Sequence, residues 1–527
     1  MKIKLVRLRD PRLSYVLDFP LVECLGLEYI ASYLRKNGND VEFIDQEVQK
    51  WSDDEIIKKL SDNETGLIGF TVISALQFEP VYYLVKKLKK NGCKAHLTIG
   101  GQFATFMYKE ILNLKEGFDS VVRYEGEITC EELANAIEKE LPLSEIAGLA
   151  YKKNNKIIVN PNRELIKNLD DLPFPSRDHA ECIVKNGGIL AVASSRGCYM
   201  NCSFCSINQF YKDCPGSGFR MRSVENIIQE IEEIIKKQKI TEIWFVDDNF
   251  ITPGKDGLVR FAKLTNYLKK LKIRYDIYLR GDLISEDILR MFKDSGGRSI
   301  FIGVEAGTDY TLNKIFEKGS SIEKIKKAIN LCKKIGVSYE PGFIMFHPWS
   351  TLKEIGENIN FLKEIEGYTV FGIISFLVPY IFTKIGKEMI AGERRYISSK
   401  IKLCHIINDT VCYTIKDIKA EILLDLTFEV FEGFYKVPKI LSYLKSRERI
   451  LQLSNHVEES KKVAKYVDEL IKRKDKKAME FFENLYLFVK NTDLSEENKV
   501  FHFLDHMKDQ VSFFCKNEEE KVGALNL

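Results

Sequence analysis

Arg196-Gly197-Cys198-Tyr199-Met200-Asn201-Cys202-Ser203-Phe204-Cys205 follows directly on the strand-like run Gly188-Ile189-Leu190-Ala191-Val192-Ala193. Its cysteines stand in a Cys-x3-Cys-x2-Cys pattern. Thiolates are soft ligands, suited to iron–sulfur clusters or zinc. A closed structural zinc site takes four protein ligands, and no fourth Cys or His follows at finger-like spacing; Cys214 lies nine residues on. Cys198, Cys202 and Cys205 therefore read as ligands of a metal centre that is one protein ligand short.

Downstream, apolar strand-like runs alternate with helical ones. The helical segment 224–237 carries Ile227, Ile228, Ile231 and Ile234 on one side, behind Ser223 as N-cap. The predicted strands end in polar residues: 242–246 in Asp247-Asp248, 274–279 in Arg280, and 299–304 in Glu305. The next, 338–346, contains Gly342-Phe343-Ile344 and leads to His347, read as a loop residue held by Pro348; 372–378 is read as the last strand. Six strand–helix units over residues 188–384 predict a partial (β/α)6 barrel with its site at the carboxyl ends of the strands. A charged residue there is by default the start of a solvated loop. Four of them around three cysteines point to a binding face.

Upstream, strands are predicted at 3–8, 41–44, 67–72, 95–99 and 120–122, with helices at 21–36, 80–90, from 102, and at 128–139. Such alternation over residues 1–140 predicts a Rossmann-like, doubly wound parallel sheet, whose ligand binds at the carboxyl ends. Those ends carry Ser74-Ala75-Leu76, Gly100-Gly101-Gln102 and Glu125-Gly126-Glu127. Paired glycines let a bulky ligand approach the backbone closely. Residues 141–187 read as a connector with a β-hairpin (150–152 and 157–159) and a Leu172-Pro173-Phe174-Pro175 stretch. Residues 385–527 hold a single proline, Pro438, and read as an α-helical domain with a core stripe at Phe481, Phe482, Leu485, Leu487 and Phe488. This domain is placed as a possible cap on the barrel. Cys404, Cys412 and Cys515 read as buried thiols, and the tail after Asn517 as frayed.

The cysteine spacing, with aromatic Phe204 before the last thiol, resembles the radical S-adenosylmethionine (SAM) enzymes. The N-terminal segment is similar to cobalamin-binding domains: 23 residues separate Leu76 of Ser-x-Leu from Gly100 of Gly-Gly. It departs from that pattern in lacking Asp-x-His-x-x-Gly, so the resemblance implies a cobalt whose lower face has no His. Together the two halves resemble the cobalamin-dependent radical SAM enzymes over residues 1–385. The resemblance implies a [4Fe–4S] cluster on Cys198, Cys202 and Cys205. It also implies SAM held by Phe204, Asp247 and Asp248 (amino group), Arg280 (carboxylate), Glu305 (ribose), and Gly342, Phe343 and Ile344 (adenine). Cobalamin would lie on Ser74, Leu76, Gly100, Gly101, Gln102, Glu125, Gly126 and Glu127. The implied activity is methyl transfer to an unactivated carbon through a 5′-deoxyadenosyl radical and methylcobalamin. Rearrangement or cyclisation is the alternative reading, and a non-enzymatic cobalamin or redox sensor the remote one. The implied partners are a small-molecule or natural-product substrate and a reductase such as flavodoxin or ferredoxin.

Composition narrows the class further. The 527 residues are 45% hydrophobic and 29% charged, as in globular proteins of two to four domains. A net charge of +3 gives no electrostatic case for nucleic acid. Twelve cysteines over this length are too sparse for a disulfide scaffold. No apolar run is long enough for a membrane span, and the N-terminus shows no signal-peptide core. A cytoplasmic setting is expected.

Overall fold

Strands β1 (Lys2–Arg7), β2 (Asp40–Asp45), β3 (Thr65–Thr71), β4 (His96–Gly100) and β5 (Ser120–Val122) pair in parallel in the order β2-β1-β3-β4-β5. The computed structural model describes residues 1–9, 21–391, 407, 409–431, 434, 437–454, 456–495 and 497–523. Apolar side chains are buried on both faces of this sheet, because helices cover both. Leu27, Ala31, Leu133 and Ala134 pack with Ile3, Leu5 and Phe43 on one side; Phe78, Val85, Phe103 and Ile111 pack with Ile68, Phe70 and Ile99 on the other. This is a doubly wound sheet.

Two elements depart from expectation here. Helix Ala75–Lys90 starts ahead of Pro80 and contains it. Phe78 is fully buried against Tyr82, Phe103 and Phe118, and that burial outweighs the hydrogen bond proline removes. The hairpin β6 (Leu149–Lys153) and β7 (Lys156–Val159) is no free connector. It extends the same sheet, β6 pairing antiparallel with β5 through buried Leu149, Ala150 and Tyr151.

A second sheet starts at β8 (Leu190–Val192), and a two-residue ladder, β9 (Ser195–Arg196) with β10 (Arg220–Met221), stands beside it. Strands β11 (Glu242–Phe245), β12 (Arg274–Arg280), β13 (Gly297–Glu305) and β14 (Ser338–Phe343) add to β8 in chain order, all parallel. Ile243, Tyr275, Ile277, Ile300 and Ile302 point outward to the helices and are fully buried. Trp244, Tyr278, Phe301 and Gly342 alternate with them and face inward. The sixth strand is reduced to one parallel bridge, Phe346 to Phe376. Thr369 caps a short helix, Val370–Ile374, which takes up the start of the expected strand.

The C-terminal helices Ile418–Phe431, Val437–Leu453, Val457–Asn491 and Glu497–Gly523 pack on the side and floor of this partial barrel. Phe482 meets Phe346 and Phe428 meets Phe376 edge-on at the sixth position. At the amino ends of the strands, Arg449 pairs with buried Glu242 and donates to the Gly187 carbonyl at 3.1 Å. Helix runs beyond Asn517, because Glu518 is buried against Arg473 and Lys521. Cys515 is buried and Cys412 half-buried; Cys404 lies outside the described residues.

Candidate functional site

Gly197 opens the cysteine loop at φ +80°, and a Cβ there would lie 1.9 Å from the Gly218 carbonyl oxygen. Only glycine fits such a position. The loop is then fastened in its middle. Ser203 donates from N to the Phe316 carbonyl (2.9 Å) and from Oγ to the Ile315 carbonyl (2.6 Å), and its own carbonyl accepts from Ile385 N (3.0 Å). The two accepting carbonyls close a π-helical turn, Thr311–Ile315, a form often met at functional sites. Phe204 packs edge-on against Phe316, and Phe316 against His347. His347 is fully buried and bonded to Glu354 at 3.1 Å, which also accepts from Thr311. Its place is behind the loop.

Cys198, Cys202 and Cys205 are half-buried free thiols, close enough to perturb one another's ionisation. Burial pushes all three up, Cys205 to about 12. Among the described residues no group of three or more His, Cys, Asp or Glu is arranged to hold a single metal ion. Three thiolates on one loop suit a cubane cluster, in which each binds its own iron.

The polar strand ends divide into two kinds. Asp247 is buried and held by the Ser194 amide (3.1 Å), the Ser194 hydroxyl (2.8 Å) and the Ser195 hydroxyl, so it fixes the turn from β8 into β9. Asp248 keeps surface open to solvent while protein crowds its other sides. That burial, and Asp247 beside it, carry its carboxyl up to about 7. Its charge acts on Cys198 and Cys205. Next to it, Asn249 donates to the Tyr199 hydroxyl while its buried Oδ1 has no partner among the described residues. Sequence reasoning missed Asn249, whose only signal was its position after the two aspartates.

Arg280 forms a fork with Asp282 (3.0 and 3.1 Å) and donates to the Lys318 carbonyl at 2.8 Å. Glu305 stands at φ +69°, a left-handed position that an L-residue holds at a strain cost of about 1–3 kcal/mol. Its carboxylate accepts from Lys318 Nζ at 2.7 Å. Gly342 lies against the Phe301 ring on the inner face, with Ile344 two residues on. Phe343 points the other way and stacks on Phe361.

At the carboxyl edge of the first sheet, Gly101 (φ +95°) turns so tightly that a Cβ would meet the Val72 carbonyl oxygen at 2.3 Å. Among the described residues Ser74 Oγ is buried without a partner, and Ile73 is 59% exposed just ahead of it. A bare apolar side chain and an orphaned hydroxyl at one strand end are what a corrinoid edge would cover. Leu76 and Gln102 are half-buried in the first turns of the following helices. Glu125 and Glu127 are engaged elsewhere: Arg196 bonds both, Arg220 bonds Glu125 at 3.0 Å, and Glu125 also accepts from Ile166 N. Gly126 between them touches Ile30.

The two strand-end faces meet through aromatic rings. Phe210, on the helix Ser206–Lys212 that follows Cys205, packs edge-on against Phe106 and Tyr124; Phe106 stacks on Phe382, and Phe382 on Tyr380.

The radical SAM superfamily model matches residues 192–362, and the B12 binding domain model residues 21–134. An uncharacterized methyltransferase of Pyrococcus horikoshii is 30% identical over 79% of this chain and 88% of its own length. The 4′-phospho-dehydrooxetanocin synthase of Priestia megaterium is 28% identical, but the chain spans only 50% of it. The structure of the cobalamin-dependent SAM radical enzyme OxsB with aqua-cobalamin shares the fold at a TM-score of 0.75 and 22% identity, over 96% of this chain and 76% of that one. No helix among the described residues is long and apolar enough to cross a membrane. Three thiols on one fastened loop, an open carboxylate beside them and a glycine-edged parallel sheet facing them accord with these matches: the chain belongs to the cobalamin-dependent radical SAM enzymes, which use a [4Fe–4S] cluster, SAM and cobalamin.

Proposed function

We propose that the protein transfers a methyl group to an unactivated carbon of a small-molecule substrate. The observation that carries this reading is the direct tie between the two strand-end faces. Arg196, two residues ahead of Cys198, is bonded to Glu125 and Glu127 at the edge of the first sheet. When bound, the cluster with SAM supplies hydrogen abstraction after one-electron reduction, and cobalamin supplies the methyl group.

The chain's own residues bind, orient and exclude water. Cys198, Cys202 and Cys205 would hold three irons, and Phe204 braces their loop from behind. Asp248 would meet the SAM ammonium, with Asp247 fixing the turn from which it projects. Glu305 would take the ribose hydroxyls, and Gly342 and Ile344 the adenine, with Phe343 and Arg280 acting behind them. Ser74, Leu76, Gly100, Gly101 and Gln102 would take the corrinoid edge, while Glu125, Gly126 and Glu127 hold that edge to the barrel. The rings of Phe106, Phe210, Tyr380 and Phe382 keep the contact dry, as a reactive intermediate requires. A flavodoxin- or ferredoxin-like reductase would supply the electron.

The test is anaerobic reconstitution with iron, sulfide and hydroxocobalamin, followed by SAM and a reductant. Cys198→Ala, Cys202→Ala and Cys205→Ala should each lose the cluster absorbance and SAM cleavage while retaining corrinoid. Release of S-adenosylhomocysteine alongside 5′-deoxyadenosine means methyl transfer. Release of 5′-deoxyadenosine and methionine alone would favour the second reading, rearrangement or cyclisation, for which the similarity to the oxetanocin-type synthase speaks.

A further inference from the structure

The structure assigns Glu354 as a positioning residue for the cluster loop, the common origin of two routes that hold Ser203 and Phe204 between the second and third thiols. The inference rests on the reading above, that Cys198, Cys202 and Cys205 hold the cluster, and concerns how their spacing is kept.

Only Ser203 and Phe204 stand between Cys202 and Cys205, and residues 201–205 belong to no helix or strand. Two thiolates this close in sequence reach two irons of one cube in a fixed geometry only if the residues between them are locked from outside. The first lock is hydrogen-bonded. Glu354 Oε1 accepts from the Thr311 hydroxyl, and Thr311 opens the π-helical turn Thr311–Ile315, its carbonyl accepting from Phe316 N at 2.9 Å. The Ile315 and Phe316 carbonyls at the far end of that turn accept from Ser203 Oγ (2.6 Å) and Ser203 N (2.9 Å). A single π turn is a rare form, so an anchor on its first residue matters.

The second lock is aromatic. His347 Nδ1 accepts from Trp349 N at 3.3 Å, which leaves Nε2 to donate to the same Glu354 oxygen at 3.1 Å. The ring so oriented meets Phe316 edge-on at 5.7 Å, and Phe316 meets Phe204 edge-on at 5.1 Å between centroids. Thr311, Phe316 and His347 are fully buried, so both routes run through packed protein. Glu354 is itself well seated. It is the third residue of the helix Leu352–Ile365, its amide is capped by Thr351 Oγ at 3.1 Å, and Leu352 N donates to Asp417 at 2.9 Å. A carboxylate in a first helical turn is favoured by the helix dipole. Burial pushes its carboxyl up, but the His347 and Thr311 bonds carry it below the ordinary glutamate value, so the strongly accepting, ionised form is the one present.

The experiment reconstitutes wild type, Glu354→Ala, Glu354→Gln, Thr311→Val and Ile359→Val anaerobically with iron and sulfide. Loss of cluster absorbance under excess chelator and the EPR spectrum of the reduced cluster are then followed, with iron content and denaturant unfolding measured in each. Glu354→Ala should bleach about tenfold faster than wild type, the size of a lost charged hydrogen bond, with broadened EPR lines. Thr311→Val severs the hydrogen-bonded route while keeping the side chain's shape, and should bleach faster by a smaller factor. Glu354→Gln keeps an acceptor oxygen and should stay within about twofold of wild type. Ile359→Val trims one buried methyl from the same helix, a control for general destabilisation, and should bleach at the wild-type rate. Glu354→Ala and Thr311→Val clusters no more labile than that of Ile359→Val, or a Gln variant as labile as the Ala variant, would overturn the assignment. Should Glu354→Ala fail to fold, Thr311→Val decides alone. A wild type that takes up no iron would sink the reading of the cysteines and this inference with it.

Discussion

Arg196 Nη1 lies 3.0 Å from Glu125 Oε1, although 71 positions separate the two residues. The guanidinium also bonds Glu127 and stacks over the Tyr29 ring at 5.2 Å. One side chain at the mouth of the cysteine loop thus fixes where the first sheet ends. The carboxylates named from sequence as corrinoid contacts serve this junction.

Replacing Arg196 by Met should therefore act on the junction. Glu125 keeps Arg220, but Glu127 is left buried without its cation. Breaking a buried pair from one side costs about 3–5 kcal/mol, and the surviving Arg220 contact puts the expected loss near the lower end. Denaturant unfolding of Arg196→Met should show it, and Arg196→Met with Glu127→Gln should recover part. A loss no larger in the single than in the double variant would show that the contact carries little.

The cysteine loop offers a finer test. Ser203→Ala removes the Oγ bond to Ile315 but keeps both backbone bonds, so stability should fall by only about 1 kcal/mol. The loop should nevertheless loosen, and the reconstituted cluster should bleach faster in the presence of a chelator. Gly197→Ala should fail to assemble the cluster, because its Cβ would strike backbone, which cannot move aside. A Gly197→Ala protein with full iron content would contradict this.

Much of this was legible in the sequence because it is local. The Cys-x3-Cys-x2-Cys loop, the apolar strands and the glycines at Gly100 and Gly101 are short-range patterns. The sixth strand was misread because the apolar run 369–378 fits strand and buried helix alike, and only the Thr369 cap decides. The strand-end charges were found, but their partners were not. Asp247 bonded to Ser194, Arg280 forked onto Asp282 and Glu305 paired with Lys318 depend on tertiary approach. No spacing rule encodes which of two adjacent aspartates turns inward. The C-terminal helices were legible as helices, but their seat at the floor rests on Arg449 meeting Glu242 across 207 residues.

Asp409 supplies a pH dependence of stability. It is buried, and burial carries its carboxyl from 3.8 to about 6. A carboxyl raised on folding adds stability that is full below its unfolded value and is lost as pH rises through about 6. The upper limit of that loss is about 3 kcal/mol. Asp409→Asn, which cannot ionise, should reduce the fall in stability between pH 5 and pH 8. Parallel stability–pH curves for the two proteins would show that Asp409 ionises as freely folded as unfolded.

Ser74 gives the sharpest separation between fold and cofactor. Its Oγ is buried with no partner among the described residues, an arrangement that costs about 1–3 kcal/mol in the absence of a ligand. Ser74→Ala removes that cost together with a hydroxyl, so the cofactor-free protein should be as stable as wild type or slightly more so. Cobalamin affinity should move the other way. A hydroxyl that waits for a corrinoid group loses one hydrogen bond on replacement, roughly a five- to tenfold weaker complex. Absorbance titration with hydroxocobalamin measures the second quantity and denaturant unfolding of the cobalamin-free protein the first. Opposite signs identify Ser74 as a ligand contact; a stability loss with unchanged cobalamin affinity would assign its hydroxyl to the sheet itself.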